Sequence, residues 1–128
     1  MPLTLADAQR IAAAAAAEAA RNAWKVTIAV VDGGGHLLCL QREHDTQFGS
    51  IELAIKKAHA AVAFQRPTKV SEDAVQNGRL IHLALPGVIP SDGGFPLLRD
   101  GRIVGGIGVS GVSAAQDGQI AQAGVGAL

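Results

Sequence analysis

The chain has 128 residues and a formal net charge of zero, and 48% of it is hydrophobic; that length supports one domain, spanning 1–128, with a core of its own. The charge balance gives no general attraction to nucleic acid or anionic lipid, and no apolar run reaches the roughly 18 residues of a membrane span. A single cysteine, Cys39, excludes an internal disulfide framework and fits a reducing, cytoplasmic compartment.

The Ala-rich stretch Ile11–Ala17 lies between Arg10 and Glu18 without a basic leader, so it predicts a helix and not a secretory signal. That helix starts with Thr4 as its cap and Asp7 in the first turn, and runs to about Asn22. Lys25–Asp32 is β-branched and apolar on both faces and predicts a central strand. Asp32 and the glycines to Gly35 supply a hairpin turn, and His36–Gln41 returns as a second strand. A second helix is expected from about Ser50 to Gln65, ending before Pro67. A short third helix over Ser71–Asn77 has Ser71 as its expected cap. Leu85–Pro96 crowds proline and glycine and predicts an irregular loop. Phe95–Leu98 and Arg102–Val109 form a hairpin turning at Arg99–Gly101. Ser113 opens the last helix, with Gln116 placed to complete a capping box.

Gly106, Gly108 and Gly111 reproduce G-x-G-x-x-G, the spacing of a dinucleotide cradle. That cradle needs the first turn of a parallel strand–helix–strand unit and an acidic residue some 20 positions later. Here one helix-length stretch follows and the preceding elements are hairpins. No NAD site is expected. The glycines predict a close approach to the sheet, by a packed helix or by a ligand.

On the second helix Ile51, Ala54, Ile55, Ala58 and Val62 form one apolar stripe, and Leu53, Ala60 and Phe64 another. Lys57 falls between them, inside the arc that should be buried. Asp117 shares the apolar face of the last helix with Ile120, Ala121 and Gly124. A buried charge is costly unless paired. The two residues are therefore candidates either for a structural ion pair or for catalysis with perturbed pKa values.

Histidine and cysteine give less. His36 and Cys39 are three apart on a strand and point to opposite faces. There is no C-x-x-C or H-x-x-x-H, so no structural zinc is expected. Cys39, mid-strand among apolar residues, is expected to be buried and inert. Any of His36, His44, His59 and His82 could serve as a single axial haem ligand.

Five segments then carry a resemblance: Leu3–Ala8 (LTLADA), Val30–Leu37 (VVDGGGHL) followed by Arg42, Gly49–Ala58 (GSIELAIKKA), Gly93–Leu97 (GGFPL) and Gly101–Gly111 (GRIVGGIGVSG). Together with Asp117 and Ala121 they resemble the GlcG/HbpS-like proteins, which include the C-terminal domain of PduO-type proteins. The resemblance covers essentially the whole chain. It implies a profilin-like α/β (α+β) sandwich, an antiparallel sheet of about five strands with helices packed against it, usually in homo-oligomers. It also implies haem binding but no particular histidine; His36 is the first choice of ligand because it flanks the hairpin. The family pattern marks Lys57, the Gly93–Pro96 loop and Asp117 as characteristic. This chain departs from it at His59, where a small hydroxyl residue is usual, and at Gly118, where an acidic residue is common.

Two functions are expected from different classes, beside a structural or accessory oligomer in which Lys57 and Asp117 simply lock the helices together. One is a haem- or tetrapyrrole-binding protein. The other is an isomerase, tautomerase or lyase acting on a small organic acid. In that enzyme Lys57 and Asp117 would be catalytic and Arg42 an anion clamp, and the N–H groups of Gly93 and Gly94, beside Pro96, would hold an oxyanion.

Overall fold

The computed structural model describes residues 1–128. Helix α1 spans Leu5–Arg21 and opens on the expected capping box: Asp7 N–H donates to Thr4 Oγ1 and Thr4 N–H to Asp7 Oδ2. Strands β1 (Thr27–Asp32) and β2 (Leu37–Arg42) form the first hairpin. Helices α2 (Gly49–Ala63) and α3 (Lys69–Gln76) follow, then a 3₁₀ turn over Leu80–Leu83. Strands β3 (Gly94–Arg99) and β4 (Arg102–Ser110) make the second hairpin, and α4 (Ala114–Val125) closes the chain. Helix α4 carries the second capping box, Ser113 with Gln116.

The sheet is wholly antiparallel, in the order β2-β1-β4-β3. It has four strands where the resemblance implied about five. Leu85–Pro90, rich in proline and glycine, adds no ladder. Helices α1 and α4 cover one face, where Ile11, Ile28, Val30, Leu97, Ile107, Val109 and Ile120 form the main core. Helix α2 covers the other, against Ala29 and Val31.

The glycines of β3 and β4 explain how α2 sits. A Cβ on Gly106 would stand 2.6 Å from the Ala58 carbonyl oxygen, one on Gly108 would strike that of Ala54, and one on Gly94 that of Lys57. The helix backbone rests directly on the sheet backbone, so helix packing, not a pyrophosphate, accounts for Gly106 and Gly108.

Three local expectations are corrected. Helix α3 begins two residues earlier than read, at Lys69, because Thr68 is clipped to Gly94: Thr68 N–H donates to the Gly94 carbonyl and Gly94 N–H to Thr68 Oγ1, each at 2.9 Å. Ser71 is therefore no cap; it is buried inside α3, its Oγ 3.2 Å from Nδ1 of the buried His82. Strand β2 is an edge strand, which leaves Cys39 half-buried instead of enclosed.

Candidate functional site

The apolar arc of α2 carries Lys57 inward as its helical position demands, to 1% exposure. Its Nζ donates to Asp117 Oδ2 at 3.1 Å and to the Val109 carbonyl at 3.0 Å. Asp117, on the first turn of α4, also accepts the Val112 N–H at Oδ1. Burial pushes the Asp117 carboxyl above the usual carboxylate range, while Lys57 and the N–H groups of Val112 and Gly111 pull it back. Gly93 roofs the pair. Its φ of +124° suits glycine, and a Cβ there would lie 3.0 Å from Lys57 Nζ and 2.5 Å from the Val109 carbonyl oxygen. Sequence reasoning thus brings the right two charges together, in a closed ion pair.

The expected oxyanion donors are already committed. Gly93 N–H donates to Asp92 Oδ1 at 2.7 Å, and Gly94 N–H to Thr68. Pro96 lies within edge strand β3, opposite Gly106, where its missing N–H costs no ladder bond that matters. Arg42 lies at the end of edge strand β2, and its Nη1 donates to the Thr46 carbonyl at 2.9 Å. As placed, these groups do not favour the organic-acid enzyme: the lysine is sealed, the amides are occupied and the arginine is bonded to the Thr46 carbonyl.

His36 sits on the β1–β2 turn, its side chain 85% exposed and its Nδ1 3.6 Å from Asp32 Oδ1. That carboxylate accepts the N–H groups of His36 and Gly34, which hold its pKa down. The same turn meets a second imidazole: His59 of α2 lies with Nδ1 3.1 Å from the Gly35 carbonyl oxygen. Below the turn, the α2-facing side of β2 is unusually apolar for an edge. Leu37 pairs with Val31, Leu40 with Ala29, and Arg42 with Thr27. Ala29 and Val31 pack on α2, and Thr27 shares a hydrogen bond with Ser50 of that helix. Directly paired residues point to one side, so Leu37, Leu40 and Arg42 line one strip beside α2, with Leu37 47% and Leu40 38% exposed. His44 is exposed in the following loop, and His82 is buried against Ser71.

Two clefts flank the molecule. One of about 440 Å³ opens under Trp24, between α1 alanines and the end of β2, where Arg42 reaches its lining too; it has no histidine. The other, about 500 Å³, lies between α3, α4 and β3, with Asp92 in its lining. Asp92 escaped the sequence reading. The signal available was Gly118, the glycine in place of an acid, but only the fold shows that it faces Asp92.

The model of the family described as "Haem degrading protein HbpS-like" matches residues 3–126. The chain belongs to the HbpS-like family. Among its HbpS-like relatives, protein GlcG of Escherichia coli K12 is 42% identical over 103 residues, 80% of this chain and 77% of GlcG. The crystal structure of a PduOC–haem complex superposes with a TM-score of 0.88 at 35% identity, covering all of this chain and 96% of that one. The HbpS of Streptomyces reticuli, solved as a double mutant, gives a TM-score of 0.90 at 33% identity over 100% of this chain and 88% of that one. The HbpS-like fold, mixed helices on an antiparallel sheet, is the one the resemblance implied.

Proposed function

We propose that this HbpS-like protein binds haem on the α2-facing strip of edge strand β2. The observation that carries the reading is the order of groups along that strip: imidazoles of His36 and His59 at the turn, exposed Leu37 and Leu40 along it, and Arg42 at its far end. A porphyrin is a flat apolar ring with carboxylates at one edge, and an exposed apolar strip ending in a guanidinium matches that division. When bound, haem would supply an iron held by an imidazole. His36 remains the first candidate ligand, and His59 becomes the second because it shares the turn. The PduOC–haem complex, at 35% identity, supports the same chemistry.

The chain's own residues would hold the ring and orient it through Arg42. We also propose a cytoplasmic homo-oligomer. Leu80, Ile81 and Leu83, each more than half exposed on the 3₁₀ turn, give a second copy an apolar surface to cover. No helix is long and apolar enough to cross a membrane.

A haemin titration followed by absorbance tests the first proposal. The wild type should give a saturable, sharpened Soret band, weakened at least tenfold in affinity in His36→Ala or His59→Ala, and shifted to weaker binding in Leu40→Glu. A broad, non-saturating spectrum indifferent to all three substitutions would overturn it. Light scattering across a concentration series reads the oligomer, and Leu80→Glu with Leu83→Glu should lower the mass; a monomer in the wild type would refute that part.

A further inference from the structure

The cleft between α3, α4 and β3 is separate from the proposed haem strip, and its floor is built around Asp92. That side chain is buried, the residue being 7% exposed, yet it has no cation beside it in hydrogen-bonding contact. Oδ1 accepts the Gly93 N–H; Oδ2 takes no donor from the protein. The carboxylate fits only because α4 presents Gly118 there: a Cβ at that position would stand 2.5 Å from both oxygens. The approach is therefore a fitted one, glycine against carboxylate, and not a side chain folded away by default.

The surroundings fix the sign of what would be welcome. Glu72 stands behind Asp92, its Oε1 accepting the Asp92 N–H at 3.0 Å, and Asp73 joins the lining. Lys69 is the cation at the rim, and it is already taken up by Asp73 at 2.9 Å and Glu72 at 3.9 Å. The Lys57 charge behind the floor is offset by Asp117. Three carboxylates, Asp92, Glu72 and Asp73, against the one lysine leave the cleft net negative. Burial also pushes the Asp92 carboxyl upward, the cost of holding a charge there without a partner. Phe95, Pro67 and Val70 give a short hydrocarbon chain a surface and an ammonium an aromatic face, while Gln119 and Gln122 of α4 add neutral amides to the opposite wall.

We infer that this cleft binds a small organic cation, an alkylammonium whose N–H groups satisfy Asp92 Oδ2 and whose chain lies against Phe95, Pro67 and Val70. The carboxylate provides the charge-assisted bond, and the apolar walls set the preference for an alkyl substituent over the bare ammonium ion. A neutral alcohol of the same size offers only an uncharged hydrogen bond and an anion is repelled, so both bind more weakly.

Titration of the amide spectrum of the full chain with n-propylammonium, n-propanol and propionate reads this directly. The expected result is saturable shifts at Gly93, Phe95 and Gly118 with propylammonium, and at least tenfold weaker binding of propanol and propionate. Asp92→Asn should lose the propylammonium preference tenfold or more while its thermal unfolding and its haemin spectrum stay those of wild type. Lys69→Ala should strengthen propylammonium binding by removing the competing cation. Equal responses to the three probes, no saturation with propylammonium, or shifts unchanged in Asp92→Asn would overturn the inference. The comparison of probes on the wild type decides the matter even if a variant fails to fold, and the haemin titration succeeds or fails independently of it.

Discussion

Lys57 Nζ and Asp117 Oδ2 meet 3.1 Å apart, joining helices that cover opposite faces of one sheet. The link passes the Gly93 end of β3, where β4 contributes the Val109 carbonyl as a third partner. Removing one member leaves the other charged and enclosed, which generally costs about 3–5 kcal/mol, whereas removing both costs far less. Lys57→Met should therefore lower the urea midpoint severely, and Lys57→Met with Asp117→Asn should recover most of the loss. Additive effects of the two substitutions would show that the pair does not act as one unit.

The pair also predicts a direction with pH. A carboxyl whose folded pKa lies above its unfolded value binds its proton more tightly when folded, so acidification favours the native state through that group. Without Lys57 this upward push is unopposed by the ion pair. Lys57→Met should regain stability relative to wild type as pH falls from 7 toward 5, and this difference should vanish in the double variant. Urea midpoints across that range check it.

Asp7 works the other way. The hydrogen bonds from Thr4, then those from Arg99 and Arg10, hold its pKa far below the usual carboxylate range. Its contribution is present above the unfolded pKa of about 3.9 and is lost as pH falls through and below that value. Asp7→Asn should shift thermal unfolding at pH 7 and have progressively less effect below pH 4. An equal shift at both pH values would contradict the linkage.

The caps should be worth similar amounts at the two ends of the chain. Thr4→Ala and Ser113→Ala each remove one acceptor from a capping box and should each cost about 1 kcal/mol, read from chemical denaturation. A loss near zero at Ser113 would mean that α4 is held by packing alone.

Glycine substitutions separate close approach from open space. Gly108→Ala places a methyl against the Ala54 carbonyl oxygen and should cost more than the roughly 1–3 kcal/mol of ordinary overpacking. Gly49→Ala meets nothing within 4 Å at the first residue of α2 and should be neutral or stabilising. Thermal unfolding of the two variants gives the contrast.

Features written into one element were legible before the fold was known. Thr4 with Asp7 and Ser113 with Gln116 are local spacings, and Lys57 betrayed itself by lying inside an apolar helical arc. Features that depend on which elements become neighbours were not legible. Thr68 starts α3 early because Gly94, far along the chain, holds it, so the local cap at Ser71 was a false signal. Cys39 reads as an interior residue because its strand is apolar, yet the sheet ends there. Asp92 carries no motif at all; its setting comes from Gly118 on another helix. Arg42 reads as an anion clamp, but only the fold shows its guanidinium donating to the Thr46 carbonyl.

The bare glycine rows under α2 have a further consequence. At Gly94, Gly106 and Gly108 the helix meets main chain, and the contacting atoms on its own side are carbonyl oxygens of Lys57, Ala58 and Ala54. The depth at which Lys57 enters the molecule is therefore gauged by peptide units, not by side-chain volume. Replacing the outward residues of α2, from Glu52 and Lys56 to His59, leaves that gauge untouched. The outer surface of the helix is free to acquire new chemistry while the ion pair beneath it keeps its register.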